Sequence, residues 1–187
     1  MRLFVALEIP CAVRDNLAAL IKDLRITAPK ARWVRPGNIH VTLKFIGEVL
    51  PDKLVSIRDA LSNVRSESPV DLNFRGLGYF PNAKRPSVLW AGIDASPNLP
   101  SLAEDIDSSI EKLGFPREQR AFVPHLTIAR FQPPRIQESL QSSIAQNIGR
   151  DFGSLCTGEF HLIESKLKPS GAEYTTLESF RFAAAEA

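Results

Sequence analysis

His40-Val41-Thr42-Leu43 and His125-Leu126-Thr127-Ile128 follow one pattern: histidine, apolar residue, threonine, apolar residue. Between them they hold two of the chain's three histidines. Threonine is scarce here, and chance yields such a pair on the order of one time in ten thousand, so the phrase is a motif that asks for a mechanism. Each phrase alternates as a half-buried strand does. Successive side chains of a strand face opposite ways, so His40 and Thr42 share one face while Val41 and Leu43 share the other. His125 and Thr127 stand in the same relation to Leu126 and Ile128. Each phrase thus offers an imidazole and a hydroxyl on one side and anchors itself with the other. Strands hold such groups more firmly than loops do.

The flanking sequence predicts strands alternating with helices, which is the pattern of an α+β fold. Residues 2–8 read as a strand, and residues 10–24 as a helix with Val13, Leu17, Leu20, Ile21 and Leu24 on one face. A turn at Pro36-Gly37-Asn38 leads into a strand over 39–46, which Gly47 is expected to end. Pro51 opens a second helix with Leu54, Ile57, Leu61 and Val64 aligned. Strands follow over 70–80, interrupted by Gly76 and Gly78, and over 87–93. A helix is predicted over 100–113 with Gly114 as its cap. The second motif strand spans 124–131, its Pro124 tolerated at a first strand position. A short helix over 136–148 and closing strands over 159–167 and 174–182, joined by a turn at Pro169-Ser170-Gly171, complete the chain. A helix therefore follows each motif strand, and the motifs lie about half a chain apart. An aromatic-valine pair precedes each one, Trp33-Val34 and Phe122-Val123. These echoes suggest two related halves, with no short-period repeat.

Composition narrows the function. The 187 residues suit one domain or two small lobes. An apolar content of 44% and a mean hydropathy of −0.08 suit a soluble protein with a real core. A net charge of +2 is too small for a protein that tracks long nucleic acid, yet fits a small anionic ligand or a single RNA end. Cys11 and Cys156 are far apart and in no metal spacing, which reads as reduced thiols in a cytoplasm. The start lacks the apolar core of a signal peptide, and no segment has the length of a membrane span.

If the two polar faces meet in one cleft, they suit phosphodiester chemistry without a metal. A neutral histidine deprotonates water while a protonated one gives its proton to the leaving oxygen. The threonine hydroxyls donate to the non-bridging phosphate oxygens, where charge builds up. Two histidines in opposite states give a bell-shaped pH–rate profile.

The chain also resembles a known family, the 2H phosphoesterases, and within it the RNA 2′,3′-cyclic phosphodiesterases first called 2′-5′ RNA ligases. The resemblance spans nearly all of the sequence. It rests on Arg2-Leu3-Phe4-Val5-Ala6-Leu7, on Asn38 through Gly47, on Gly76-Leu77-Gly78-Tyr79-Phe80-Pro81 with Val88-Leu89-Trp90, on Phe122 through Arg130, and on Ser165-Lys166-Leu167 with Gly171 and Tyr174. It implies a single bilobal domain over 1–187, with two pseudo-symmetric α+β lobes, mainly antiparallel sheets facing a central cleft, and helices outside. It implies hydrolysis of an RNA terminal 2′,3′-cyclic phosphate to a 2′-phosphomonoester, with His40 as proton donor and His125 as proton acceptor. The partners it implies are RNA ends or nucleotides bearing that cyclic phosphate, with no membrane. No cofactor is expected, and the chain is expected to be a cytoplasmic monomer.

His161 lacks a threonine partner and reads as structural, and no spacing supports a zinc site built from the three histidines. Thr42 and Thr127 are substrate-binding candidates, although β-branched residues also simply favour strands. Arg130 can bind phosphate or an RNA backbone; in a regular strand its parity turns it away from His125, so a bulge or the strand end is required. Lys44 has the parity of His40, though an exposed lysine is the plain reading. Tyr174 either stacks on a base or packs. Phe45, Trp33 and Phe122 read as core. Ligation of the cyclic phosphate to a 5′-OH uses the same groups, and the motifs do not separate it from hydrolysis. A non-enzymatic RNA-end binding module would have little need of both imidazoles. Gly76-Leu77-Gly78 lacks the Gly-Lys-Ser/Thr of a P-loop, which argues against ATP-dependent end repair.

Overall fold

The structure is a computed structural model and describes residues 1–169 and 171–183. In chain order the strands are β1 (Arg2–Glu8), β2 (Arg32–Trp33), β3 (His40–Glu48), β4 (Val70–Phe80), β5 (Val88–Ala95), β6 (His125–Arg130), β7 (Asp151–Thr157), β8 (Glu159–Lys168) and β9 (Gly171–Arg181). The helices are α1 (Cys11–Thr27), α2 (Leu54–Ser62), α3 (Asn98–Glu111) and α4 (Glu138–Ala145). Two antiparallel sheets result, one in the order β3-β1-β8-β9 and the other in the order β2-β6-β5-β4-β7. This is the expected α+β architecture. The run β1-α1-β3-α2 recurs as β5-α3-β6-α4, and each motif strand lies beside the strand that opens its half.

The halves exchange helices. Helix α1, between β1 and β3 in the chain, packs on β7 and α4 of the other sheet, while α3, between β5 and β6, packs on β3 and α2. Val13, Leu17, Leu20, Ile21 and Leu24 of α1 are all buried there, as predicted, and α3 buries Leu99, Leu102, Ala103, Ile106 and Ile110. Each such aliphatic side chain contributes about 1.5–3 kcal/mol when removed from water. The exchange ties the two sheets together. One apolar core runs through both. A small second cluster of Phe4, Ala6 and Ile163, with Tyr174 against it, lies on the opposite face of the first sheet.

Both motif strands carry a bulge at the same place. Ala6 pairs with Thr42 and Val5 with Lys44, leaving Leu43 as the extra residue. Trp90 pairs with Thr127 and Leu89 with Ala129, leaving Ile128 extra. One unpaired residue inverts the alternation beyond it. Leu43 and Lys44 are therefore both buried, as are Ile128 and Ala129. The next residues, Phe45 and Arg130, return to the histidine face. This corrects two readings made from parity and composition. Lys44 is turned inward at 4% exposure, and Phe45 is 59% exposed rather than core. For Arg130 the bulge required by the sequence reading is present.

Smaller differences have local causes. Gly47 continues β3 to Glu48, its φ of 89° absorbed where the ladder to β1 shifts register. Pro51–Lys53 is a 3-10 turn that precedes α2, and Val64 is buried just beyond that helix. Strands β2 and β7 were not expected. The first has only two residues, and the second is an edge strand interrupted by Gly153, with only Phe152 buried. Trp33 does not echo Phe122 structurally, because it pairs with Ala129 of the second motif strand. Both rings are half-buried against the core. Ser170, in the expected turn, lies outside the described residues, and Gly171 already belongs to β9. Among the described residues no helix is long and apolar enough to cross a membrane.

Candidate active site

Strands β3 and β6 meet where the two sheets face each other. Between them lies a cavity of about 370 Å³ whose wall includes His40, Thr42, Phe45, His125, Thr127, Arg130 and Tyr174. The two phrases thus converge, which strand parity left conditional and the family resemblance implied, and Arg130 and Tyr174 join them. Thr42 lies directly across from Ala6 and Thr127 across from Trp90, so both hydroxyls are carried on paired backbone rather than on loops.

The imidazoles are held alike. His40 Nδ1 lies 2.7 Å from the Asn38 carbonyl oxygen. His125 Nδ1 lies 2.7 Å from that of Val123. A carbonyl only accepts, so Nδ1 carries the proton in both rings, and each Nε2 is left for chemistry in the cavity. Asn38 is itself fixed. It ends the 3-10 turn Pro36–Asn38, and its side-chain Nδ2 donates to the Ala172 carbonyl at 2.8 Å. On the other side, Pro124 stands between Val123 and His125, where it takes no ladder position.

The surroundings of the rings differ. His40 stacks on Phe4, with centroids 4.6 Å apart and planes at 29°, and meets the edge of Tyr174 at 5.4 Å. Burial in this pocket lowers its pKa below the ordinary 6.5. The Asn38 hydrogen bond opposes that shift, and the charge of a protonated His125 adds to it. His125 meets Phe80 edge-on at 4.9 Å. Tyr174 packs on Phe4 at 5.0 Å as well as on His40. It therefore forms the wall behind the first imidazole and also fronts the cavity.

Sequence reasoning missed several residues of the wall. Phe45 was hidden by the bulge. Arg2 and Ser165 pair across β1 and β8 and also line the cavity; both stood in segments that carry the family resemblance, without a role. His161 is buried, its Nδ1 2.9 Å from Ser179 Oγ, and it does not line the cavity. Among the described residues no group of three or more His, Cys, Asp or Glu stands together where it could hold a metal ion.

Comparison with known proteins identifies the family. A family model described as LigT like phosphoesterase matches residues 7–90. A relative from Methanothermobacter thermautotrophicus, named RNA 2′,3′-cyclic phosphodiesterase, is 33% identical over 182 residues, which is 97% of this chain and 98% of that protein. This chain belongs to the LigT-like phosphoesterases, the 2H phosphoesterase family. A second relative of the same name, from Archaeoglobus fulgidus, is 35% identical, with 96% of this chain and 99% of its own length covered. Among solved structures, a Thermus thermophilus protein superposes with a TM-score of 0.77 at 32% identity, over 97% of this chain and 98% of its own. Another, described as a phosphoesterase, gives a TM-score of 0.79 at 25% identity, with 98% of each chain covered. In this LigT-like phosphoesterase the matched stretch 7–90 contains the first motif. The second falls outside it, within the longer alignments to the relatives, so the pairing of the two motifs rests on the whole chain.

Proposed function

We propose that this chain hydrolyses the 2′,3′-cyclic phosphate at an RNA end to a 2′-phosphomonoester and a free 3′-OH. The observation that carries this reading is the pair of Nδ1–H···O=C clamps, which turn the Nε2 of both imidazoles toward one cavity. Relatives along nearly the full chain bear the name of this activity.

In the proposed reaction His125 Nε2 takes a proton from water as the water oxygen attacks phosphorus. The bond from phosphorus to O3′ breaks, and protonated His40 gives its Nε2 proton to that oxygen. The 2′-ester bond stays intact, and the two histidines end the cycle with protonation states exchanged. The Thr42 and Thr127 hydroxyls donate to the non-bridging oxygens as their charge grows. Arg130 adds a guanidinium at the edge of the cavity for the RNA backbone, and Tyr174 borders the terminal nucleoside. The assignment of His40 as donor and His125 as acceptor follows the family resemblance, and burial of His40 disfavours its protonated form in the free site. An imidazolium in a buried pocket is the stronger acid and yields its proton more readily to a departing alkoxide, and the phosphodiester anion raises the population of that form once bound. No step requires a metal. The two exposed, unbridged cysteines suit a reducing cytoplasm, and we take the active unit to be a monomer.

The test is incubation in chelator with an RNA ending in 2′,3′-cyclic phosphate, with and without a 5′-OH RNA. A 2′-phosphate product is expected, and a joined RNA as the main product would favour ligation. His40→Ala and His125→Ala should each lower the rate by about 100- to 10,000-fold. Near-wild-type rates from either variant, or a need for added metal, would defeat the mechanism.

A further inference from the structure

The carbonyl that clamps His125 belongs to Val123, which ends a stretch with little backbone support of its own. Among the described residues no backbone–backbone hydrogen bond involves residues 115–124. Before Val123, two backbone groups of this stretch bond outside it. The Pro116 carbonyl accepts from Lys44 Nζ at 2.6 Å, and the Glu118 N–H donates to the Asp107 carboxylate at 3.2 Å. Lys44 and Asp107 are themselves a buried ion pair. The other backbone contacts are local to the loop. Side chains add to its attachment: Arg117 faces carboxylates of α3, and Phe122 rests half-buried on the core.

Lys44 reaches this loop because of the bulge at Leu43. In an unbroken strand it would share the face of His40 and Thr42, and the added residue turns it beneath the sheet instead. The equivalent place beyond the second bulge holds Ala129, which carries no charge. The first clamp is secured by other means, since the Asn38 side chain bonds the Ala172 carbonyl. A reverse tie also exists. The N–H of Val34, just ahead of the turn Pro36–Asn38, donates at 2.8 Å to the Ile128 carbonyl of the second motif. Each motif strand thus holds the segment that leads into the other. A buried ion pair is a poor source of stability, because desolvation offsets the attraction and an apolar pair of like size does as well. An apolar pair cannot, however, hold two backbone groups of a loop.

Resting on the reading of His125 as the proton acceptor of the hydrolase, we infer that Lys44 is a positioning residue for His125. With Asp107 it holds the loop at Pro116 and Glu118, so that the Val123 carbonyl meets the imidazole Nδ1–H. That bond selects the tautomer whose lone pair lies on Nε2. With the loop untied, the carbonyl loses its place and the Nε2–H tautomer becomes accessible. That form cannot take a proton from water at Nε2. Lys44 touches no substrate and acts only through the loop.

The experiment compares wild type, Lys44→Met, and the double variant Lys44→Met with Asp107→Leu. The double variant fills the buried space without charge, so it separates the tether from stability. Ring-nitrogen NMR shifts report the tautomers of both motif histidines, at a pH well above the ordinary imidazole value of about 6.5. In parallel, kcat and KM are measured on an RNA ending in 2′,3′-cyclic phosphate. In the double variant His125 should move from the Nδ1–H form toward a mixture while His40 keeps its form. Its kcat should fall by about 10- to 100-fold, the scale of a small misplacement of a catalytic group, with KM near the wild-type value. Lys44→Met alone, although less stable, should show the same change at His125. Wild-type kcat and a wild-type His125 spectrum in the double variant would overturn the inference and leave the pair a structural role only. If wild type does not open the cyclic phosphate yet His125 changes tautomer in the variants, the positioning role stands and the hydrolase reading falls. Hydrolysis by wild type with kcat and tautomer unaltered in both variants would do the reverse.

Discussion

Lys44 and Asp107 form an ion pair sealed beneath the first motif strand, with side chains only 3% and 9% exposed. Lys44 Nζ also donates to the Pro116 carbonyl at 2.6 Å, and the Asp107 carboxylate accepts the Glu118 N–H at 3.2 Å. The pair therefore joins β3 to α3 and to the loop that leads into β6. Removing one member of a buried pair strands the other charge, at about 3–5 kcal/mol. Lys44→Met should lower stability by about that amount, toward the smaller figure because Arg117 Nε stays 3.7 Å from Asp107. Lys44→Met with Asp107→Leu should recover much of the loss. Urea midpoints at constant m decide it, and a loss under about 1 kcal/mol for the single variant would remove the pair from any structural role.

Gly78 and Trp90 lie opposite each other in β4 and β5, and a Cβ on Gly78 would come within 2.2 Å of the indole ring. The ring occupies the place of the missing side chain. Trp90 is also the partner of Thr127, so displacing it disturbs the second motif. Gly78→Ala should cost about 1–3 kcal/mol by overpacking, shift the tryptophan emission, and lower kcat more than it raises KM. Normal emission and normal activity would show that the ring moves freely.

Much of this architecture is written in local pattern. The buried stripe of α1, the motif strands, and the shared face of His40 with Thr42 and of His125 with Thr127 follow from periods of 3.6 and 2, whereas the meeting of the two faces was implied by the family resemblance. The bulges do not, because period-2 reasoning cannot locate one added residue. That is why Lys44 and Phe45 were assigned to each other's faces, and why Arg130 was left conditional. Strand β2 is invisible for another reason. Its two residues pair with Arg130 and Ala129, and Val34 just beyond bonds to the β6 bulge, contacts distant in sequence that no local propensity encodes. The helix exchange is likewise hidden, since the apolar stripes of α1 and α3 state that each helix is buried but not against which sheet.

Burial makes protonation of His40 unfavourable in the folded protein, and this sets a pH dependence of stability. Its folded pKa lies below the ordinary value of 6.5 that applies when the chain is unfolded. Between those two values the unfolded chain binds more protons, so stability rises with pH across the window. The contribution is fully present above about 6.5 and is lost as pH falls through the folded pKa. Wild type should therefore lose stability between pH 7.5 and pH 5 more steeply than His40→Gln, which carries no such group. Parallel slopes in urea midpoints would mean that the ring is hydrated despite its contacts with Phe4 and Tyr174.

Phe45 and Arg130 hold equivalent places beyond their bulges, yet one brings an apolar ring to the cavity and the other a charge. Their replacements should separate by salt. Arg130→Met keeps most of the side-chain length and removes the guanidinium; losing a hydrogen bond to a charged group is worth about 1.5–3 kcal/mol, so kcat/KM on an RNA end should fall by roughly 10- to 100-fold. The penalty should shrink as salt rises, because added ions screen the contact that was removed. Phe45→Ala removes no charge. It should raise KM while leaving the salt slope at the wild-type value, with little change in stability because the ring is 59% exposed. Matching salt slopes for the two variants would show that the bulge does not deliver Arg130 to the substrate, and that its place in the cavity wall is a matter of packing alone.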